Sequence, residues 1–256
     1  MVKNVYTTPA VQEKLPKQSD EQVGFTDMKI NKHFLIAGGT GTGKTNALVN
    51  YLLETSKPSK GTFKHIFVCY KTDEPLYDFL KDKLGPEGIS FYRSVAEFPS
   101  ADDFADTSTQ DPKKQYKYLV VFDDCINDKD KASYTKIKQY FTYGRKKNIT
   151  VCYLTQSFYD ADSFIRKQMS YLLLLSIKGR TDLTNILREY GSLDCDRDEL
   201  YRIFQTATAP RGDDDLPFLK LNCEKCPKDK KFSRDFTEFI TPRHAAVEEG
   251  SDEDDE

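Results

Sequence analysis

The chain has 256 residues and a formal net charge of -3. With 38% hydrophobic and 31% charged residues it has the composition of a soluble globular protein able to bury a substantial core, which excludes a fibrous or wholly disordered chain. The longest strongly apolar stretch, Tyr171–Ile177, is far too short to span a bilayer, and Met1–Gln18 lacks the apolar centre of a signal peptide, so no membrane insertion is expected.

Residues 1–27 read as an extended N-terminal arm, polar and interrupted by Pro9 and Pro16. His33–Ala37 is a short apolar run ending in glycines. Asn46–Thr55 has helical spacing, with Ala47, Leu48, Tyr51 and Leu52 on one side. His65–Tyr70 reads as a strand, Pro75–Leu84 as a helix stopped by Gly85-Pro86, and Ile89–Tyr92 as a short strand. Residues 99–117 form a polar, flexible connection. Tyr118–Phe122 is a continuous apolar strand, as expected where both faces of a sheet are covered.

Lys129–Tyr143 fits a helix, with Tyr134, Ile137 and Phe141 in phase, and Ile149–Leu154 is the next buried strand. Phe164–Met169 is a short helix before the strand Tyr171–Ile177. Leu183–Tyr190 and Arg197–Phe204 are helical, and Thr206–Leu221 suggests a hairpin about Arg211-Gly212-Asp213. Strands alternating with helices imply an α/β fold: a mostly parallel central sheet flanked by helices on both faces, with its ligand beyond the carboxyl ends of the strands. The expected divisions are the arm at 1–27, a core at 28–205, a C-terminal hairpin and extension at 206–242, and an acidic disordered tail at 243–256. That tail holds most of the negative charge. Glu248–Glu256 has seven acids and no base, and without it the formal charge moves from -3 to +4. A mildly basic folded part permits a nucleic-acid partner without demanding one.

Six cysteines sit at 69, 125, 152, 195, 223 and 226. The first three lie in or just after apolar runs and read as reduced core residues of a cytosol-like compartment. Cys223-x-x-Cys226 is a single pair, without the two further ligands that tetrahedral zinc needs.

Gly38-Gly39-Thr40-Gly41-Thr42-Gly43-Lys44-Thr45 satisfies G-x-x-x-x-G-K-[ST]; an ordinary glycine-rich turn is the alternative, and the strand before and helix after point instead to a P-loop NTPase. The glycines turn backbone N–H groups inward around phosphate oxygens, and the following helix adds its N-terminal dipole. Lys44 reaches the β- and γ-phosphates of a nucleoside triphosphate such as ATP, and the Thr45 hydroxyl ligates Mg2+. Leu119–Phe122 then leads into Asp123-Asp124. Asp123 is expected to hold the magnesium and Asp124 to polarise the attacking water as a general base; a helix cap or turn is the ordinary alternative. An acid beside the magnesium aspartate suits continuous hydrolysis, as in motors, rather than a GTPase switch.

The strand Val151–Leu154 ends in Thr155-Gln156-Ser157, and Gln156 is the candidate contact to the γ-phosphate or the lytic water, with Thr155 the nearby alternative. Among bases, Arg145 is the first candidate and Arg166 the second for an arginine supplied to a neighbouring subunit. Lys129, Lys131, Lys136 and Lys138 read either as a solvated helix face or as contacts to a DNA backbone.

Together these residues resemble the viral genome-packaging ATPases of the FtsK–HerA superfamily, poxvirus-type branch. The matching pieces are the loop with Asn46 after it, Val120-Val121-Phe122-Asp123-Asp124, Gly144-Arg145, Leu154-Thr155-Gln156-Ser157 and Ile165-Arg166-Lys167, spanning roughly residues 30–190. The resemblance implies a ring homo-oligomer, commonly a hexamer, that translocates double-stranded DNA into a preformed capsid through a capsid or portal partner. It implies Arg145 as the trans-acting finger and Gln156 as the sensor, in the host cytoplasm or virus factory with possible virion association. Departures are Asp124, where glutamate is commoner in the wider superfamily, and Lys146-Lys147, where a histidine is frequent. The competing readings are an ATP-dependent assembly protein that moves no DNA, and a P-loop nucleotide kinase, which needs an arginine-rich lid absent from the sequence.

Overall fold

The computed structural model describes Pro9 and residues 24–56, 62–106, 116–125, 130–177, 179–190 and 195–243. Most of the expected arm, the acidic tail from residue 244, residues 107–115 of the polar connection, and Lys129 lie outside the described residues.

A nine-stranded sheet runs through the molecule. Its strands are β1 (Phe34–Ala37), β2 (His65–Tyr70), β3 (Ile89–Tyr92), β4 (Tyr118–Asp123), β5 (Ile149–Thr155), β6 (Tyr171–Leu174), β7 (Leu219–Asn222), β8 (Phe232–Arg234) and β9 (Glu238–Phe239). Their order in space is β3-β2-β4-β5-β1-β6-β7-β8-β9. The first six are parallel and the last three antiparallel. The parallel centre is hydrophobic on both faces, so β1 and β5 are buried along their whole length. Side-chain alternation divides the core in two. Leu35, Phe122 and Tyr153 pack on one face, and Phe34, Ile36, Val121 and Leu154 on the other.

The helices are α1 (Lys44–Ser56), α2 (Pro75–Gly88), α3 (Lys131–Tyr143), α4 (Ser163–Lys167), α5 (Arg180–Tyr190) and α6 (Arg197–Thr208). Pro75 opens α2 where its missing N–H is no loss, and Gly85 interrupts it with φ 64° and ψ 178°, so the expected stop is a kink followed by one more turn. Asp130 caps α3 by accepting from the amides of Ala132 and Ser133.

Two expectations are corrected. The connection from residue 99 is not loose throughout: Ser100 caps a short 3-10 turn at Ala101–Asp103, and Phe98, Ala101 and Phe104 are buried in the core. Thr206–Leu221 is not a hairpin. Helix α6 continues to Thr208 because Ala207 extends the buried row of Leu200, Ile203 and Phe204 by one more turn. The hairpin in this part of the chain is β7–β8, and it extends the main sheet beyond β6.

Candidate nucleotide-binding site

The phosphate loop leaves β1 still held by both neighbouring strands. The Gly38 amide donates to the Thr155 carbonyl at 3.2 Å, and the Leu175 amide to the Ala37 carbonyl at 2.9 Å. A Cβ on Gly38 would stand 2.6 Å from Thr42 Oγ1 and 2.8 Å from Leu175 Cβ, so no larger residue fits. Gly43 adopts φ 96°, a left-handed conformation natural only to glycine, and turns the chain into α1. The first amides of α1 are thereby left without helical acceptors at the mouth of the loop, where they suit an anion. Lys44 Nζ spans that mouth, donating to the carbonyls of Gly38 at 3.0 Å and Gly39 at 3.3 Å.

Because β5 lies between β1 and β4, the ends of all three strands converge. Asp123 closes β4, is 8% exposed, and accepts a 2.7 Å hydrogen bond from the Tyr77 hydroxyl. Burial pushes its pKa up to about 6; the Tyr77 bond opposes this and the neighbouring Asp124 adds to it. Asp124 adopts φ 49°, and its amide donates to the Leu154 carbonyl at 3.1 Å. Gln156 Nε2 donates to Asp124 Oδ2 at 2.8 Å, and the Thr40 hydroxyl donates to Gln156 Oε1 at 3.2 Å. A carboxylate only accepts, which fixes the orientation of the amide. The result is a relay from the phosphate loop, through the glutamine, to the second aspartate.

Thr40, Lys44, Thr45, Asp123, Asp124 and Gln156 all line one cleft of about 320 Å³, together with Gly41, Gly43 and Asn46. Gly38 and Gly39 line a smaller hollow behind the loop, which they share with Gln156. Thr45 and Asp123 supply hard oxygen donors within the cleft, a set that fits Mg2+ when phosphate oxygens and water complete its shell. Thr155, the alternative to Gln156 for contact with the γ-phosphate or the lytic water, does not line the cleft, and its hydroxyl donates to the Ser157 carbonyl at 2.7 Å.

The two arginines lie elsewhere. Arg145 is exposed in a 3-10 turn before β5, at the opposite end of the strands from the cleft. The seven residues of β5 separate it from Gln156, about 20 Å at strand rise. Its nearest polar contact is Ser170 Oγ at 3.5 Å, and Ser170 donates in turn to Glu224 at 2.7 Å. Arg166 stacks its guanidinium on Tyr159 at 4.7 Å and Phe158 at 5.3 Å, and does not line the cleft. Of the α3 lysines, Lys136 donates to the Ala96 carbonyl at 3.0 Å and Lys138 lies 4.3 Å over the Tyr134 ring. Among the described residues no group of three or more His, Cys, Asp or Glu side chains is placed to hold a metal.

The cleft also contains residues that the motifs do not announce. Thr72, Glu74 and Leu76 line it from the β2–α2 connection, and Tyr77 reaches Asp123 from α2. The signal for them lies in the pairing of Tyr70 with Asp123, which brings whatever follows β2 to the acid pair. Leu216 enters from the far end of the chain.

Comparison with known proteins decides the family. The poxvirus A32 protein family matches residues 25–212, more than half of the chain. The chain belongs to the poxvirus A32 protein family. The loop, the acid pair, Gly144-Arg145 and Gln156 all fall inside the matched stretch, in agreement with the resemblance carried by those motifs. Among solved structures, the genome packaging NTPase B204 from Sulfolobus turreted icosahedral virus 2, in complex with ATP-gammaS, is similar over 81% of this chain and 98% of its own. Its identity is 15% and its TM-score 0.53. The DNA-packaging ATPase B204 of Sulfolobus turreted icosahedral virus covers the same shares at 13% identity and TM-score 0.52. The cytoplasmic domain of the type VII secretion ATPase EccC of Thermomonospora curvata matches 85% of this chain and 25% of its own, at 15% identity and TM-score 0.52. These likenesses establish the fold: a P-loop ATPase sheet, mostly parallel, with flanking helices. No curated protein matches the chain. No helix among the described residues is long and apolar enough to cross a membrane.

Proposed function

We propose that this family member is an ATP-hydrolysing motor that moves viral double-stranded DNA into a preformed capsid, working as a ring of like subunits, commonly six. The relay Thr40–Gln156–Asp124 carries the hydrolytic part of this reading. Amides of the loop and of the first turn of α1 bind the phosphates, and Lys44 leaves its carbonyl partners to neutralise the β- and γ-oxygens. Asp124 accepts from Gln156 at one oxygen, which leaves the other to take a proton from the attacking water. Thr40 sits in the loop that grips phosphate, so arrival of the γ-phosphate and the aim of the base are mechanically linked. Thr45 and Asp123 would hold Mg2+, which when bound offsets charge on the β- and γ-phosphates.

Arg145 is exposed and faces away from its own cleft, which supports a role toward a neighbouring subunit. Arg166, engaged with two rings, is the weaker candidate. The DNA partner is inferred from the genome-packaging role of the B204 proteins, and a capsid or portal partner from the resemblance to packaging ATPases. That role assigns the protein to the host cytoplasm or virus factory, with retention in the virion as a further expectation.

The test is the steady-state ATPase rate with and without double-stranded DNA, alongside sizing in the presence of ATP. Stimulation by DNA together with a ring-sized species is the expected outcome. A monomer whose hydrolysis ignores DNA refutes the motor. An oligomer whose hydrolysis ignores DNA points instead to an assembly role.

A further inference from the structure

Phosphate chemistry leaves one wall of the cleft unexplained. Leu216 is 44% exposed although apolar, and it lies against the phosphate loop, with its Cδ1 3.1 Å from where a Cβ on Gly43 would stand. Leu216 and Asn46 line a second hollow as well as the phosphate cleft. This hollow, about 500 Å³, runs along the flank of α1 past Asn50 and is walled by Phe25, Asp214, Phe218 and Phe236. Phe25 is a second exposed apolar side chain on the same hollow.

The topology explains why the C-terminal strands reach this place. Strand β7 is antiparallel to β6, with Leu219 opposite Leu174, so the connection entering β7 lies at the sheet end that carries the phosphate loop. Strand β8 runs back again, and the turn after it, at Asp235–Thr237, emerges at that same end. The connection is pinned. Arg234, 2% exposed, donates to the carbonyls of Ala207 at 3.1 Å and Ala209 at 2.6 Å and pairs with Asp215. Arg211 pairs with Glu238 at 2.8 Å. Leu216 is therefore held over Gly43 by a braced loop.

We propose that the second hollow is the nucleoside half of the nucleotide site, built by the C-terminal strands and closed by Leu216. The proposal rests on the phosphate-loop reading and extends it. A triphosphate gripped by the first amides of α1 leaves across Asn46, which with Leu216 is common to both hollows. Leu216 and Phe25 then cover the faces of the base, and the Asn50 amide and Asp214 carboxylate meet ribose hydroxyls and ring amino groups. Phe25, Leu216, Phe218 and Phe236 supply the apolar part of the lining, and Glu54, Asp214, Asp215 and Asp235 add carboxylates that suit hydroxyl and amino donors of a nucleoside rather than phosphate.

The experiment compares full-length protein binding to ATP, to ADP and to inorganic tripolyphosphate, each with magnesium, by calorimetry. Leu216→Ala and Phe25→Ala alter exposed side chains and leave the core intact. Each is expected to weaken ATP and ADP about fivefold, the loss of roughly half a buried apolar side chain, with tripolyphosphate unchanged. If both variants bind ATP as the parent does, or lose ATP and tripolyphosphate equally, the nucleoside assignment is overturned. Lys44→Ala separates the two readings. If it retains tripolyphosphate binding, the phosphate-loop reading itself fails, whatever Leu216 does.

Discussion

Tyr77→Phe removes one oxygen and keeps a ring that packs 5.3 Å from Tyr70 and 5.6 Å from Phe91. What is lost is a 2.7 Å bond from a buried phenol to a buried carboxylate. Bonds to a charged partner contribute about 1.5–3 kcal/mol, equivalent to roughly one to two pKa units on Asp123. Burial already holds that carboxyl at about 6, and the phenol opposes the rise. Without it, ionisation moves to about 7 or above. An acid with a raised pKa is more protonated at neutral pH and so a poorer cation ligand. Binding of Mn2+ to the ATP complex should weaken about twofold to tenfold at pH 7 and recover about two pH units higher. The acid limb of the pH–rate profile should move up by about one unit, with the alkaline plateau kept. Manganese titrations followed by electron paramagnetic resonance across pH, with matching rate profiles, read both effects. Parental Mn2+ affinity at neutral pH together with an unmoved acid limb would falsify the claim that Tyr77 orients Asp123.

Three further outcomes are expected. Lys44→Ala abolishes turnover while circular dichroism stays unchanged, since Lys44 bonds only to loop carbonyls; retained hydrolysis removes the loop from the active site. Arg145→Ala removes hydrolysis but keeps ATP binding, and mixing it with an Asp124→Asn subunit restores part of the activity if the arginine acts across an interface; no rescue in mixed rings argues against that role. Asp123→Asn loses activity yet stabilises the nucleotide-free fold at pH 7 by about 1–3 kcal/mol in chemical denaturation. The sign follows from a folded pKa of about 6 against an ordinary aspartate value of 3.8. The folded state binds the proton more tightly, so this residue's contribution is best at low pH and declines as pH rises toward 6. A variant no more stable than the parent at pH 7 contradicts the burial argument.

Legibility in the sequence followed the distance over which each feature is encoded. Gly38–Thr45, Asp123-Asp124 and Gln156 are each announced by an apolar strand that ends in chemistry, and parallel strands of one sheet bring such ends together. Tyr77 is hidden because its meaning depends on β2 lying beside β4, which is a fact of strand order. Leu216 is hidden more deeply, since it reaches Gly43 only after the chain has left and rejoined the sheet. Arg211-Gly212-Asp213 has turn chemistry and does turn, with the Asp215 amide donating to the Gly212 carbonyl at 3.2 Å. Its flank is harder to read, because Thr206 and Thr208 resemble strand residues while Ala207 sits on the buried face of α6.

The place of β1 in the sheet bears on how this protein comes into being. Among the described strands it is the first in chain order, yet its partners are β5 and β6, with Phe34 facing Cys152 on one side and Tyr171 on the other. The nascent phosphate loop therefore has no sheet to emerge from until more than a hundred further residues have been made. Such long-range pairing is intrinsically slow to form. A chain halted before β5 should bind no nucleotide on the ribosome, because the strand that holds β1 in place and ends in Gln156 does not yet exist.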